Sequence, residues 1–192
     1  AWTAPVDTAV CANGESSQCS VWSPYTNATT QAQGTKWYVS PRGSYLYGQG
    51  TQAHPFPMDI QGLIDRSDVA NGHEIILLPG VYGNALLSGP GNAQDLNLRG
   101  KMLSISSLNG SALTTVDCGG TSRFITFNNS EPSACVLSGL TIRNCGGAAD
   151  AKGAILFSQR SAPTIHDCAF VDNSAEIGAV FVAEGGSSPS FL

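Results

Sequence analysis

Six cysteines and three histidines offer the most chemistry in this 192-residue chain, and their spacing narrows what that chemistry is. No two cysteines form a Cys-x-x-Cys pair, and His54, His73 and His166 stand far apart, so the short-range Cys/His spacing of a zinc site is missing and no metal or cofactor is assigned. An even cysteine count without metal spacing reads as a disulfide framework. Cys11 and Cys19 enclose a short polar loop and are expected to pair; Cys118, Cys135, Cys145 and Cys168 lie in the C-terminal half. Asn27, Asn109 and Asn128 each open an Asn-x-Ser/Thr triplet, the acceptor pattern for N-glycosylation. Paired cysteines, such triplets and few lysines together predict an extracellular or cell-surface protein, and the opening Ala1-Trp2-Thr3 reads as an already processed start.

Catalytic candidates are thin. His166, between Ile165 and Asp167, reads as a solvated side chain on the outward alternation of a strand, because no Ser or Cys nucleophile is tied to it by a motif. His73 beside Glu74 reads as a turn residue. Trp37, Tyr38, Tyr45, Tyr47 and Phe56 cluster in sequence as a sugar-stacking platform would, but packing of a cap accounts for them more economically given the area aromatics bury. Gly48-Gln49-Gly50 and Gly89-Pro90-Gly91 do not precede helices, so they read as turns and not as phosphate loops. No catalytic residue is assigned.

Composition sets the frame for these residues. Apolar residues make up 42% of the chain and charged ones only 12%, with a net charge of −5. The apolar content suffices for a core. Nine scattered cations give no basic face for nucleic acid, and no apolar run approaches the ~18 residues of a membrane helix.

The elements that must position these side chains are short. Residues 1–36, rich in Ser, Thr, Asn and Gln, are predicted to be an irregular extension pinned by the Cys11–Cys19 loop. Trp37–Val39 reads as a strand. Pro57 opens a helical pattern, with Ile60, Leu63 and Ile64 on one face and Asp59 in the first turn, ending near Arg66–Asp68. Glu74–Leu78 is a strand closed by Pro79-Gly80. Beyond it, β-forming runs follow at close intervals: Leu96–Leu98, Met102–Ser106, Leu113–Val116, Phe124–Phe127, Val136–Ile142, Ala154–Phe157, Thr164–Phe170 and Val180–Val182.

Three phrases recur in the same order. Ile142-Arg143-Asn144-Cys145 matches Ile165-His166-Asp167-Cys168; Gly153–Phe157 matches Gly178–Val182; Ser161–Ile165 matches Ser187–Phe191. A sandwich has no reason to repeat phrases at one period, whereas a solenoid does. The expected fold is therefore all-β, a parallel β-helix with coils of about 23–26 residues and a short N-terminal capping helix over residues 37–192. Ile142 would stack on Ile165 and Ile155 on Val180, with Asn144 and Asp167 as a corner ladder. Cys145 would then lie one coil, about 4.8 Å, from Cys168, a separation a disulfide can span. Cys118–Cys135 follows by elimination. Ser187–Leu192 starts a phrase that stops, so the solenoid is expected to continue, in the same chain or through another chain covering that end.

The residues Trp37–Ser44, Pro55-Phe56, Ile60-Gln61 and Asn71–Tyr82 resemble the opening of right-handed parallel β-helix proteins, in which this segment forms the amphipathic cap and the first coil. The Gly-Ala-Ile/Val phrases and Phe170-Val171-Asp172-Asn173 resemble repeats of polymorphic outer-membrane adhesins and of large algal and protist surface proteins; His73 replaces the usual Asp, and Lys152 and Ile177 replace a Gly. That resemblance implies a structural or adhesive rod segment of a surface, matrix or appendage glycoprotein, with carbohydrate or other surface proteins as partners. The same fold houses Ca²⁺-dependent polysaccharide lyases, which implies an alternative: Asp117, Asp150, Asp167, Asp172 and Glu176 as calcium candidates and Arg143, Lys152 or Arg160 as base. Calcium demands two or three carboxylates converging on one face.

Overall fold

A computed structural model of the chain describes residues 36–44, 46–83, 95–146 and 152–192. The strands are β1 (Lys36–Val39), β2 (Glu74–Leu77), β3 (Gly80–Gly83), β4 (Leu96–Asn97), β5 (Ser104–Ser107), β6 (Thr114–Asp117), β7 (Ile125–Phe127), β8 (Val136–Ser138), β9 (Thr141–Arg143), β10 (Ile155–Phe157), β11 (Thr164–His166), β12 (Ala169–Val171), β13 (Phe181–Ala183) and β14 (Ser190–Phe191), with one helix, α1 (Ile60–Ile64). They form three sheets in the orders β1-β2-β5-β8-β11-β14, β3-β6-β9-β12 and β4-β7-β10-β13, in which the registered strand pairs are parallel. The chain is thus a parallel β-solenoid of about 3 turns, each full coil adding one strand to each sheet.

Strands stay short because left-handed backbone turns the chain at each corner. Gly139 (φ 67°) and Asp167 (φ 54°) occupy one such corner in successive coils, and Asn144 (φ 50°) and Asp172 (φ 52°) the next. Asn and Asp tolerate this region because their short polar side chains bond local backbone. Inward side chains then stack from coil to coil. Trp37, Ile75, Ile105, Leu137, Ile165 and Phe191 form one ladder; Tyr82, Val116, Ile142 and Phe170 a second; Leu96, Ile125, Ile155 and Phe181 a third. Burying each aliphatic side chain contributes roughly 1.5–3 kcal/mol, so these ladders hold the narrow core together.

The register corrects several expectations. The runs Val136–Ile142 and Thr164–Phe170, read as single strands, are each two strands around a corner, and Gly80, read as a stop, begins β3. Ile142 therefore does not stack on Ile165: Ile142 pairs with Phe170 and Val116 in one sheet, Ile165 with Leu137 and Phe191 in another. Asp172, not Asp167, follows the strand registered with Asn144's. Ile155 faces Phe181, one residue beyond the expected Val180. The Ser161–Ile165 phrase does align with Ser187–Phe191, as expected. Beyond the cap, coils run from 26 residues (Thr164 to Ser190) to 34 (Gly80 to Thr114), longer than the repeated phrases suggest.

The disulfide changes accordingly. Cys118 bonds Cys145, with Cα atoms 4.7 Å apart, while Cys135 and Cys168 are free. The expected Cys145–Cys168 and Cys118–Cys135 bridges fail because Cys145 follows β9 and Cys168 follows β11, at different corners. In the next coil it is Asn173 that stands over Cys145, its Oδ1 accepting from the Cys145 N–H at 2.8 Å. Cys11, Cys19 and most of the expected 1–36 extension lie outside the described residues.

Candidate functional site

The solenoid has two ends, and the sequence treats them differently. At the N-terminal end the outer edge of β1 is already paired: the Tyr38 N–H donates to Gly50 O at 2.8 Å, and the Phe56 and Ser40 N–H groups bond Tyr38 O and Phe56 O at 2.9 Å each. Helix α1, capped by Asp59 accepting from the Gly62 N–H at 2.8 Å, lays Ile60, Leu63 and Ile64 fully buried over the first coil. On the same helix the Gln61 side-chain amide imitates a strand. Its Oε1 accepts from the Asn97 N–H at 2.8 Å and its Nε2 donates to Asn97 O at 3.2 Å, closing the edge of β4. Such pairing satisfies backbone groups that an edge strand otherwise offers to a neighbour. Lys101 Nζ reaches Ile64 O at 2.5 Å and Arg66 O at 2.6 Å, holding the last turn of the helix.

The aromatic residues weighed as a sugar platform divide. Trp37 and Phe56 are buried and stacked with centroids 6.1 Å apart, beneath the Arg66 guanidinium, and the Trp37 indole donates to His73 Nδ1 at 2.9 Å. Tyr47 is exposed and Tyr38 half-buried; Tyr45 lies outside the described residues. Trp37 and Phe56 are therefore cap packing, and no platform forms among the described residues of the group.

The C-terminal end is the reverse. β12, β13 and β14 are the last strands of their sheets, and nothing among the described residues covers their outer edges. Phe181 and Phe191, the last rungs of two core ladders, stack with centroids 4.6 Å apart, yet each is 41% exposed, whereas the Phe157 ring beneath them is fully buried. Ile177, Val171 and Leu192 in the same stretch of chain are also exposed. From Ser161 to Leu192 the chain carries four acids, Asp167, Asp172, Glu176 and Glu184, and no Lys or Arg.

The acid–base candidates sit elsewhere. Asp117 and Arg143 are opposite one another on β6 and β9, with Arg143 Nε donating to Asp117 Oδ2 at 2.9 Å. Asn144 Nδ2 (3.1 Å) and the Gly119 N–H (3.0 Å) donate to the other carboxylate oxygen. Partial burial pushes this carboxyl up, but the Gly119 N–H, the Asn144 amide and the Arg143 guanidinium together hold it below the usual carboxylate range. Asp167 and Asp172 occupy two different corners, and Glu176 is exposed. Lys152 is engaged with Glu184 at 2.6 Å, and Arg160 lies in a left-handed turn (φ 63°). Among the described residues no three His, Cys, Asp or Glu side chains converge as a metal set, and Asp150 lies outside them. The arrangement can hold a structural ion pair; it does not bring together the carboxylates that calcium needs.

His166 Nδ1 lies 2.8 Å from the exposed Asp167 carboxylate, on the surface as expected. Asn109 is exposed in the bend after β5, whereas half-buried Asn128 accepts from Asn97 Nδ2 and Asn129 Nδ2 at 2.8 Å; Asn27 lies outside the described residues. Burial pushes both free thiols, Cys135 and Cys168, up from their ordinary range.

Sequence reasoning missed two polar residues that matter. Gln61 was placed on the helix with no role, and Glu131, in a connector, is almost fully buried and accepts from Ser161 Oγ at 2.7 Å and the Asn129 N–H at 2.9 Å. Glu131 thereby ties one coil's corner to the next. No local pattern signals the coil-spanning bond of either, because Asn97 and Ser161 are each about a coil away in sequence. Comparison with protein-family models, with curated proteins and with solved structures finds no match in any of the three.

Proposed function

We propose that this chain is a non-enzymatic, extracellular structural or adhesive module, a rigid segment of a large cell-surface, matrix or appendage glycoprotein. One observation carries the reading: the parallel ladders run without a break from a closed helix cap through each coil among the described residues. A stack of parallel coils resists bending, presents loops at its corners and can be extended by a further coil, from the same polypeptide or another. The Cys118–Cys145 bridge supports an oxidising compartment, and exposed Asn109 supports glycan attachment there. The likeness to adhesin-type and algal or protist surface repeats belongs to this reading.

The competing reading, the N-terminal part of a Ca²⁺-dependent polysaccharide lyase, has Asp117 beside Arg143 in its favour. Both Asp117 oxygens are already engaged by donors from the protein itself, which weighs against their use as calcium ligands. An assay on uronate polymers with and without Ca²⁺, read at the absorbance of the unsaturated product, separates the two. No product in either condition is expected; calcium-dependent product overturns the structural reading.

A further inference from the structure

We infer that Asn109 is a self-modifying site: in a chain without a glycan there, its carboxamide closes on the Gly110 main-chain nitrogen and the residue ends as aspartate or isoaspartate. The inference goes beyond the rod reading and does not depend on it.

Such a reaction makes three demands on the structure. The residue after the asparagine must leave room at its nitrogen, which glycine does because it has no Cβ. That nitrogen must lose its proton, so its N–H cannot be held in a hydrogen bond. The asparagine side chain must be able to swing its Cγ over the nitrogen. The glycine nitrogen then gives its proton to hydroxide, and its electron pair forms a bond to Cγ. The Cγ–Nδ2 bond breaks, and Nδ2 takes a proton from water and leaves as ammonia. Water opens the resulting five-membered imide at either carbonyl, giving aspartate or isoaspartate; nothing is oxidised or reduced.

Two Asn-Gly pairs lie among the described residues, and the fold treats them oppositely. Asn71 and Asn109 are both exposed, so exposure does not separate them. At the first pair both reacting groups are engaged by one residue of the next coil. Asn71 Oδ1 accepts from the Met102 N–H at 2.9 Å, and the Gly72 N–H donates to Met102 O at 2.7 Å. Asn173-Ser174 is held in the same way: the Asn173 side chain bonds the Cys145 N–H at 2.8 Å and Ile142 O at 2.9 Å, and the Ser174 N–H donates to Cys145 O at 2.9 Å. At Asn109 the bend after β5 is held through other atoms. The Asn109 N–H donates to Ser107 Oγ, and Gly110 O accepts from Ser107 Oγ and from the Leu113 N–H, each at 3.2 Å. The Gly110 N–H and the Asn109 carboxamide make no hydrogen bond among the described residues. Asn109 Nδ2 is also the atom a glycan would take, so the two modifications exclude one another at this residue.

The full 192-residue chain, produced without N-glycans, is incubated at mildly alkaline pH both folded and in urea, then reduced, alkylated and cut with trypsin. Asn109 is the only asparagine in the tryptic peptide Met102–Arg123, and Asn71 lies in Ser67–Arg99, where fragment spectra locate the change. In the folded chain Asn109 is expected to convert about tenfold or more faster than Asn71, because Asn71 must first give up two hydrogen bonds. The product should appear as two chromatographic peaks, aspartate and isoaspartate, and N109Q should abolish both. In urea the two pairs should react at similar rates. A preference for Asn109 that persists in urea places the cause in the flanking sequence and overturns the structural argument. Equal rates in the folded chain overturn the protection of Asn71. If folded Asn109 stays intact over the time in which the unfolded pairs react, the site does not exist.

Discussion

The two ends of this solenoid are built from the same materials and finished differently. At the N-terminal end every device faces inward: α1 buries three aliphatic side chains, Gln61 closes β4 with its side-chain amide, and the Gly50–Phe56 segment closes β1. The charges there are paired, Lys36 with Glu74, Asp65 with Arg99 and Asp68 with Arg66. In the last described coil Phe181 and Phe191 are each 41% exposed, and Asp172 and Glu176 form no ion pair among the described residues. A repeat fold cannot close itself by repetition, since each coil offers the next the same edge it received. Closure needs something outside the repeat, and at the N-terminal end this chain supplies it with a helix and a glutamine.

The sharpest way to break the contrast is to truncate equivalent apolar side chains at each end. Leu63→Ala, under the cap, should cost about 3 kcal/mol in urea unfolding, within the range for a fully buried leucine, whereas Leu192→Ala, 85% exposed, should cost less than about 0.5 kcal/mol. Equal costs would mean that the ends are equally packed. Next in size, replacing Cys118 and Cys145 together by Ser should lower stability by about 2–4 kcal/mol, the range for a bridge that closes a loop with a sequence separation of 27. Non-reducing peptide mapping should find the Cys118–Cys145 cross-linked peptide. In the folded protein, alkylation of Cys135 should be slow until the pH is well above the ordinary thiol range, because burial raises its pKa.

The fold was legible in the sequence from its repeated phrases, but the register was not. Ile142-Arg143-Asn144-Cys145 and Ile165-His166-Asp167-Cys168 look alike because every corner of the solenoid poses the same demand: an aliphatic inward, then a residue that tolerates left-handed backbone. Phrases from different corners therefore match as well as phrases from the same corner, and the cysteine pairing inherited that slip. Ser161–Ile165 aligned correctly because its proline and small residues mark one particular corner. The cap helix was visible from Ile60, Leu63 and Ile64, yet the role of Gln61 was not, since its partner Asn97 is 36 residues away and no spacing rule connects them.

Smaller effects sharpen the comparison further. Gln61→Leu keeps the helix face but removes the amide that closes β4, leaving Asn97 N–H and C=O without it; a loss of about 1–2 kcal/mol is expected, with the denaturant slope unchanged. No loss would mean that water serves the edge equally well. Smallest is the acid limb. Asp117's folded pKa lies below its unfolded value, so its stabilising contribution is present at neutral pH and disappears as pH falls through that lowered value. Asp117→Asn should therefore flatten the stability profile slightly below about pH 4 while leaving its alkaline side unchanged, as read by thermal unfolding across pH.

Amide hydrogen exchange read along the chain tests the asymmetry most directly. Protection is expected to be highest through Ile75–Leu77, Ile105 and Ile125, to remain substantial in β1 and β4 despite their edge positions, and to fall through β12, β13 and β14. If residues 169–191 exchange as slowly as the central coils while β1 and β4 exchange fast, the closed and open ends have been assigned the wrong way round.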